Sequence, residues 1–206
     1  MAFHHPLQVF GFHSCDREVG LAILNGEMDL NASNNIWDWL GGGIYFWEQN
    51  PGRALAYAEE CAAKKQYFAG DIKIPFVIGA IINLGNCLNL MEAESTPVLE
   101  TAYSGLLQTT AKAEIKMPVN KDANRALDCA VIQYLHQSNL ENEIAPYDTI
   151  RSSFDEGEKV YEGSTFTKRL HIEVCVINPA MILGYYLPRP VDRYNPYLKG
   201  AFNFSK

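Results

Sequence analysis

Three consecutive glycines, Gly41 to Gly43, run straight into Ile44-Tyr45-Phe46-Trp47, and Asn50-Pro51 then opens the alanine-rich stretch PGRALAYAEECAAKK. Glycines permit a tight turn or bulge, β-branched and aromatic residues suit a pleated strand, and Asn as cap with Pro at the first helical position starts a helix. The chain is thereby committed to a strand that passes into a helix with almost no linker. The same order occurs upstream. The apolar run LQVFGF (Leu7 to Phe12) ends at His13, Ser14 or Asp16 can cap the helix spelled by VGLAILNG, and Asn25-Gly26 stops it.

Further along, residues 72–84 are rich in β-branched side chains and read as a buried strand, with Pro75 near its start and a turn at Gly85-Asn86. Helical spacing returns from Thr96 to about Leu107 and from Ala123 to His136, where Leu127, Ala130, Val131, Tyr134 and Leu135 form one apolar stripe. These two helices are expected to cover the sheet. The segment RSSFDEGEKVYEGSTFTKR reads as a solvated loop that feeds the alternating strand LHIEVCVI, and MILGYYL forms a further strand after Asn178-Pro179. The predicted class is α+β with a strand-rich centre. Neither a repeat nor a Gly/Ser or Pro linker divides the chain, so residues 1–206 are read as one domain.

Composition excludes several classes. With 48% hydrophobic and 20% charged residues the chain can offset its ordering entropy by burial, which a disordered tail cannot. A net charge of -7 argues against holding nucleic acid by a uniformly basic surface, and leaves a local basic groove open. The first residues, MAFHHPLQVFGFHSC, carry neither a leader pattern nor a membrane span, so the expected location is the cytoplasm, with no membrane partner. Five widely spread cysteines without a CxxC pair suit reduced thiols. No metal is expected, because His171 with Cys175 and His13 with Cys15 each lack the second close pair of a zinc site.

Four residues stand out: His13 at a strand end, Tyr45 in GGGIYFW, Tyr57 on the following helix, and Glu173 on the last long strand. Each has a purely structural use. A His at a corner is a satisfied polar group, Tyr45 and Tyr57 are packing aromatics, and alternation places His171, Glu173 and Cys175 on one face of any half-solvated strand. In order, however, FHSC, GGGIYFW and HIEVCVINPAMILGYYL resemble the His, Tyr and Glu segments of the ADP-ribosyltransferases of the diphtheria-toxin and poly(ADP-ribose) polymerase branch. VIGAIINLGNCLNL is similar to that family's strand closing in a Gly-Asn turn, and Tyr57 to its second, nicotinamide-stacking Tyr. Two positions depart from the family pattern. His-Gly is here His13-Ser14, and the Ser expected three residues before the second Tyr is Ala54.

The resemblance implies a split mixed β-sheet with flanking helices and an NAD cleft between the strand of His13 and the segment Gly43 to Trp47. It implies NAD as co-substrate. His13 would bind the adenosine ribose, Ser14 the nicotinamide amide through its backbone, and Tyr45 and Tyr57 would sandwich the nicotinamide. Gly43 and its neighbours would let backbone approach the dinucleotide, and Glu173 would face the cation that develops at the ribose. The implied activity is mono-ADP-ribosyl transfer to a macromolecule, protein or nucleic acid, with an NAD glycohydrolase or a silent NAD or ADP-ribose binding module as alternatives. The acceptor would meet the loop 151–169, which mixes Arg151, Lys159, Lys168 and Arg169 with Phe154, Tyr161 and Phe166. A small transferase of this kind also resembles bacterial toxins and phage-defence proteins, in which an inhibitory partner such as an antitoxin restrains the activity.

Overall fold

The computed structural model describes residues 8–64, 72–121 and 124–198. Residues ahead of Gln8, together with Lys65 and Ala123 at the ends of predicted helices, lie outside the described residues. The chain begins with strand β1 (Gln8–Asp16), helix α1 (Arg17–Leu24), strand β2 (Ile44–Glu48) and helix α2 (Pro51–Lys64). It continues with β3 (Pro75–Asn83), β4 (Cys87–Asn89), α3 (Ser95–Lys112), α4 (Ala126–Glu141), β5 (Thr149–Phe154), β6 (His171–Val176), β7 (Ile182–Tyr186) and the short α5 (Val191–Tyr194). The result is a mixed α+β fold around one seven-stranded sheet of order β4-β5-β6-β2-β1-β3-β7, in which only β4 and β5 run parallel.

Local chemistry accounts for the boundaries. Asp16 ends β1 and caps α1, accepting from the Glu18 amide at 3.0 Å, and it also takes the amides of Lys73 and Ile74. His13 therefore lies inside the strand and not at its end, because Asp16, rather than Ser14, carries the cap. Asn50 caps α2 through the Arg53 amide at 3.0 Å, with Pro51 at the first helical position. Two strands were not anticipated: Cys87–Asn89, and Thr149–Phe154, which takes in the first four residues of the segment read as loop. Arg151 can sit in β5 because Glu48 of β2 neutralises it at 2.8 Å.

Cross-strand partners share a face, so the register sorts the side chains. One face carries the larger core, with Val9, Cys15, Phe46, Ile78, Ile82 and Val174 under α1. There burial pushes the Cys15 thiol up to about 12. The other face carries two clusters. Helices α3 and α4 cover Leu88, Ile150, Cys175 and Tyr45, while α2 covers Phe12, Trp47 and Val77. Among the described residues no helix is long and apolar enough to cross a membrane.

Candidate active site

The sheet is closed unevenly around β1. Along one edge β1 pairs with β3 at nine consecutive positions, Gln8 to Asp16. Along the other it pairs with β2 only at Gly11 with Glu48 and Phe12 with Trp47. The Gln49 amide donates to the Phe10 carbonyl at 2.8 Å, so alternation points the peptide groups of Phe10, Phe12 and Ser14 toward β2. At Ser14 no strand meets them. The Tyr45 carbonyl, which the ladder would have given to Ser14, accepts instead from His13 Nδ1 at 2.8 Å. The imidazole is a wedge where the two strands part.

That bond fixes the His13 tautomer. A carbonyl only accepts, so the proton is on Nδ1 and Nε2 is left as an acceptor. Burial beside Phe46, whose ring centroid lies 5.7 Å away, holds the imidazole below its ordinary pKa and keeps it neutral.

Tyr45 leaves the strand on the opposite face. Its hydroxyl donates to the Gly41 carbonyl at 2.6 Å and accepts from the Leu40 amide at 2.9 Å, which ties the glycine turn to the sheet. Burial, with Cys175, Asp38 and Glu173 nearby, pushes the phenol up. Gly43 has a packing use. Both its backbone groups bond Ser33, at 2.8 and 2.9 Å, and a Cβ there would stand 2.4 Å from Cys175 Sγ. In this structure the close approach that Gly43 permits is to β6.

Glu173 pairs in register with Trp47 and shares the face of Tyr45, so it borders both clusters, with 17% of its side chain exposed. Its Oε1 lies 3.0 Å from His171 Nε2, and His171 Nδ1 lies 2.6 Å from the Arg169 carbonyl. Both imidazole nitrogens thus face acceptors, an arrangement that an imidazolium satisfies and a neutral ring does not. Burial opposes the charge, but Glu173 and the Arg169 carbonyl outweigh it, and the His171 pKa is raised. The His171 side chain is 1% exposed and holds one Glu173 carboxylate oxygen, Oε1.

Tyr57, on α2, packs at 5.1 Å against Trp47, and Arg53 lies over both rings at 5.5 and 5.7 Å. Burial, then Cys61 and Glu173, push the Tyr57 phenol up. Trp47 Nε1 and Arg53 Nε and Nη1 are buried donors with no acceptor, the kind of deficit that a ligand bearing oxygen acceptors relieves. Ser14 and Ala54, the two departures from the family pattern, touch each other: the Ser14 hydroxyl donates to the Ala54 carbonyl.

The structure therefore brings Tyr45, Tyr57 and Glu173 to one face, with His13 on the other, joined to them through the Tyr45 carbonyl. Trp47 and Arg53 were not singled out from the sequence, and His171 only as a residue on the face of Glu173 and Cys175. Alternation with Tyr45 and Glu173, and the spacing of four from Arg53 to Tyr57 on a helix, are the signals that mark them. Among the described residues no group of three or more His, Cys, Asp or Glu is arranged to hold a metal ion. Compared with protein-family models, curated proteins and solved structures, the chain matches none.

Proposed function

We propose that the chain is a mono-ADP-ribosyltransferase that cleaves NAD in the gap between β1 and β2 and passes ADP-ribose to a macromolecular acceptor. The observation that carries this reading is the parting of the two strands at His13 and Tyr45, which opens the Ser14 edge of β1 beside His13 Nε2, with Glu173 across β2 on β6. Each suits one part of NAD. The Ser14 N–H and C=O match the carboxamide of nicotinamide, which donates and accepts once on each side. Neutral His13 Nε2 accepts from a ribose hydroxyl. Glu173 accepts from the 2′-hydroxyl of the other ribose and faces the carbon that becomes cationic.

In the reaction the bond from nicotinamide nitrogen to ribose C1′ breaks, and its electron pair leaves with the nicotinamide, which becomes neutral. An acceptor nucleophile then bonds to C1′ and loses its proton to solvent. The transition state has oxocarbenium character, so a fixed carboxylate beside it stabilises that state more than the bound NAD. His171 acts as a positioning residue, because its hydrogen bond holds the carboxylate before charge develops.

Replacing Glu173 by Gln keeps shape and hydrogen-bonding capacity and removes the charge. Nicotinamide release is expected to fall by about a hundredfold or more, with NAD affinity little changed, the scale of losing one preorganised electrostatic group. Glu156→Gln and Glu158→Gln are the controls. Wild-type turnover in a folded, NAD-binding Glu173→Gln protein would refute the assignment of this carboxylate. With NAD labelled in the adenosine part, label on macromolecules means transfer, and free ADP-ribose alone means hydrolysis.

A further inference from the structure

Beside Glu173 lies a second feature that NAD cleavage does not use. A pocket of about 340 Å³ opens between the first turns of α2 and the segment before β6. Asn50, Gly52, Arg53 and Ala56 line one wall; Lys168, Arg169 and Leu170 line the other. Three cations thus face a cavity with no carboxylate among its lining residues, at the start of a helix whose Arg53 amide is capped by Asn50. The volume is at the lower end of the roughly 300–1,000 Å³ of small-ligand clefts.

Each of these cations has a carboxylate partner that is not among the lining residues. Glu156 reaches Arg53 only at 3.4 Å, Glu158 meets Lys168 in solvent, and Glu60 takes one Arg169 nitrogen at 2.6 Å. The Arg53 side chain is 11% exposed and its guanidinium has two buried donors unpaired, so it is the least satisfied charge near the site. Re-aiming it to an oxyanion exchanges two ring contacts and one long ion pair for charge-assisted bonds.

Position decides which oxyanion. In β2 the residues run from Tyr45 at the gap to Glu48, after which Asn50 begins the pocket. In β6, antiparallel to β2, Leu170 immediately precedes the strand at that same end. Glu173, opposite Trp47, therefore stands between the gap on one side and the pocket on the other. The segment carrying Lys168 and Arg169 is an ordered hairpin, with Val160 N bonded to Phe166 O at 3.1 Å and Lys168 N to Glu158 O at 2.9 Å. It presents Tyr161 and Phe166 at 62% and 60% exposure. Cations that take phosphate next to exposed rings that stack bases are the pairing by which single strands are held.

We propose that this pocket binds a backbone phosphate of a single-stranded nucleic acid and that such a strand is the ADP-ribose acceptor. The proposal rests on the NAD-cleavage reading for its second half, whereas the binding it requires is measured without NAD. The test is fluorescence anisotropy of the full chain with short labelled single strands, one oligothymidylate and one oligouridylate. The variants are Ala56→Glu, which sets a carboxylate in the cavity wall, and the pair Lys168→Gln with Arg169→Gln, which removes two cations and keeps the Arg169 carbonyl on His171.

Wild-type binding of at least one strand, weakened about tenfold or more in both variants with a shallower salt dependence, is the expected result. Failure of the wild type to bind either strand, or equal affinity in the variants, overturns the proposal. A loss of NAD affinity equal to the loss for the strands also overturns it, since the pocket would then hold the dinucleotide's own diphosphate. A chain that binds the strands through this pocket and never releases nicotinamide refutes the NAD reading and leaves the pocket standing. One that releases nicotinamide and ignores both strands does the reverse.

Discussion

The two edges of β1 are made of one strand and behave oppositely. Toward β3 every residue from Gln8 to Asp16 has a partner, and that side buries Ile78 and Ile82 completely. Toward β2 the ladder stops after Phe12, and a histidine side chain takes over the next backbone acceptor. A strand saturated on one edge is fixed in place, so its other edge can remain open without fraying. In the proposed reading the open edge is where polar groups face a ligand, and the closed edge is what holds them in position.

The largest effect is expected from damaging the closed edge. Ile78 of β3 pairs with His13 of β1 and is fully buried. Ile78→Ala is expected to cost about 2–5 kcal/mol of stability by urea denaturation, because a packed core relaxes little around a lost side chain. A loss well below that range would mean that β1 is held from its other side.

A smaller effect is expected at the open edge. Tyr45→Phe removes a hydroxyl that serves both the Gly41 carbonyl and the buried Leu40 amide. Leaving these without a partner is expected to cost about 1–3 kcal/mol in the same assay. An unchanged stability would show that the glycine turn does not depend on this anchor.

The smallest effect separates the two site histidines by sign. His13 is held below the ordinary histidine pKa of about 6.5, so the unfolded chain takes the proton first and stability falls as pH drops below that value. His171 is held above it, so its contribution is fully present below about 6.5 and is lost as pH rises through the folded value. Stability measured across pH is expected to lose its acid-side fall in His13→Gln and its decline on the alkaline side in His171→Gln. Changes of the same sign in both variants would contradict the opposite charge states.

Much of this architecture is legible in the sequence where residue type and local structure agree. Ile44 to Trp47 followed by Asn50-Pro51, and the stop at Asn25-Gly26, carry their own punctuation, and both appear in the structure. Strand β5 is not legible in that way. Its Arg151, Ser152 and Ser153 look like loop until Glu48, some hundred residues earlier, supplies the countercharge. His13 is legible as a candidate but not as a wedge, since its role depends on how far β1 and β2 pair. The His171 clamp needs only alternation to bring it beside Glu173, yet its charge depends on the Arg169 carbonyl, which no residue type announces.

The claim that joins these observations is that NAD enters between β1 and β2. Amide hydrogen exchange, followed with and without a non-cleavable NAD analogue, addresses it without requiring turnover. At an analogue concentration about ten times its Kd, exchange at residues 12–15 and 43–46 is expected to slow by about tenfold, while the β3 and β7 amides change little. No slowing at the parted strands, or slowing confined to the β3–β7 edge, would contradict it.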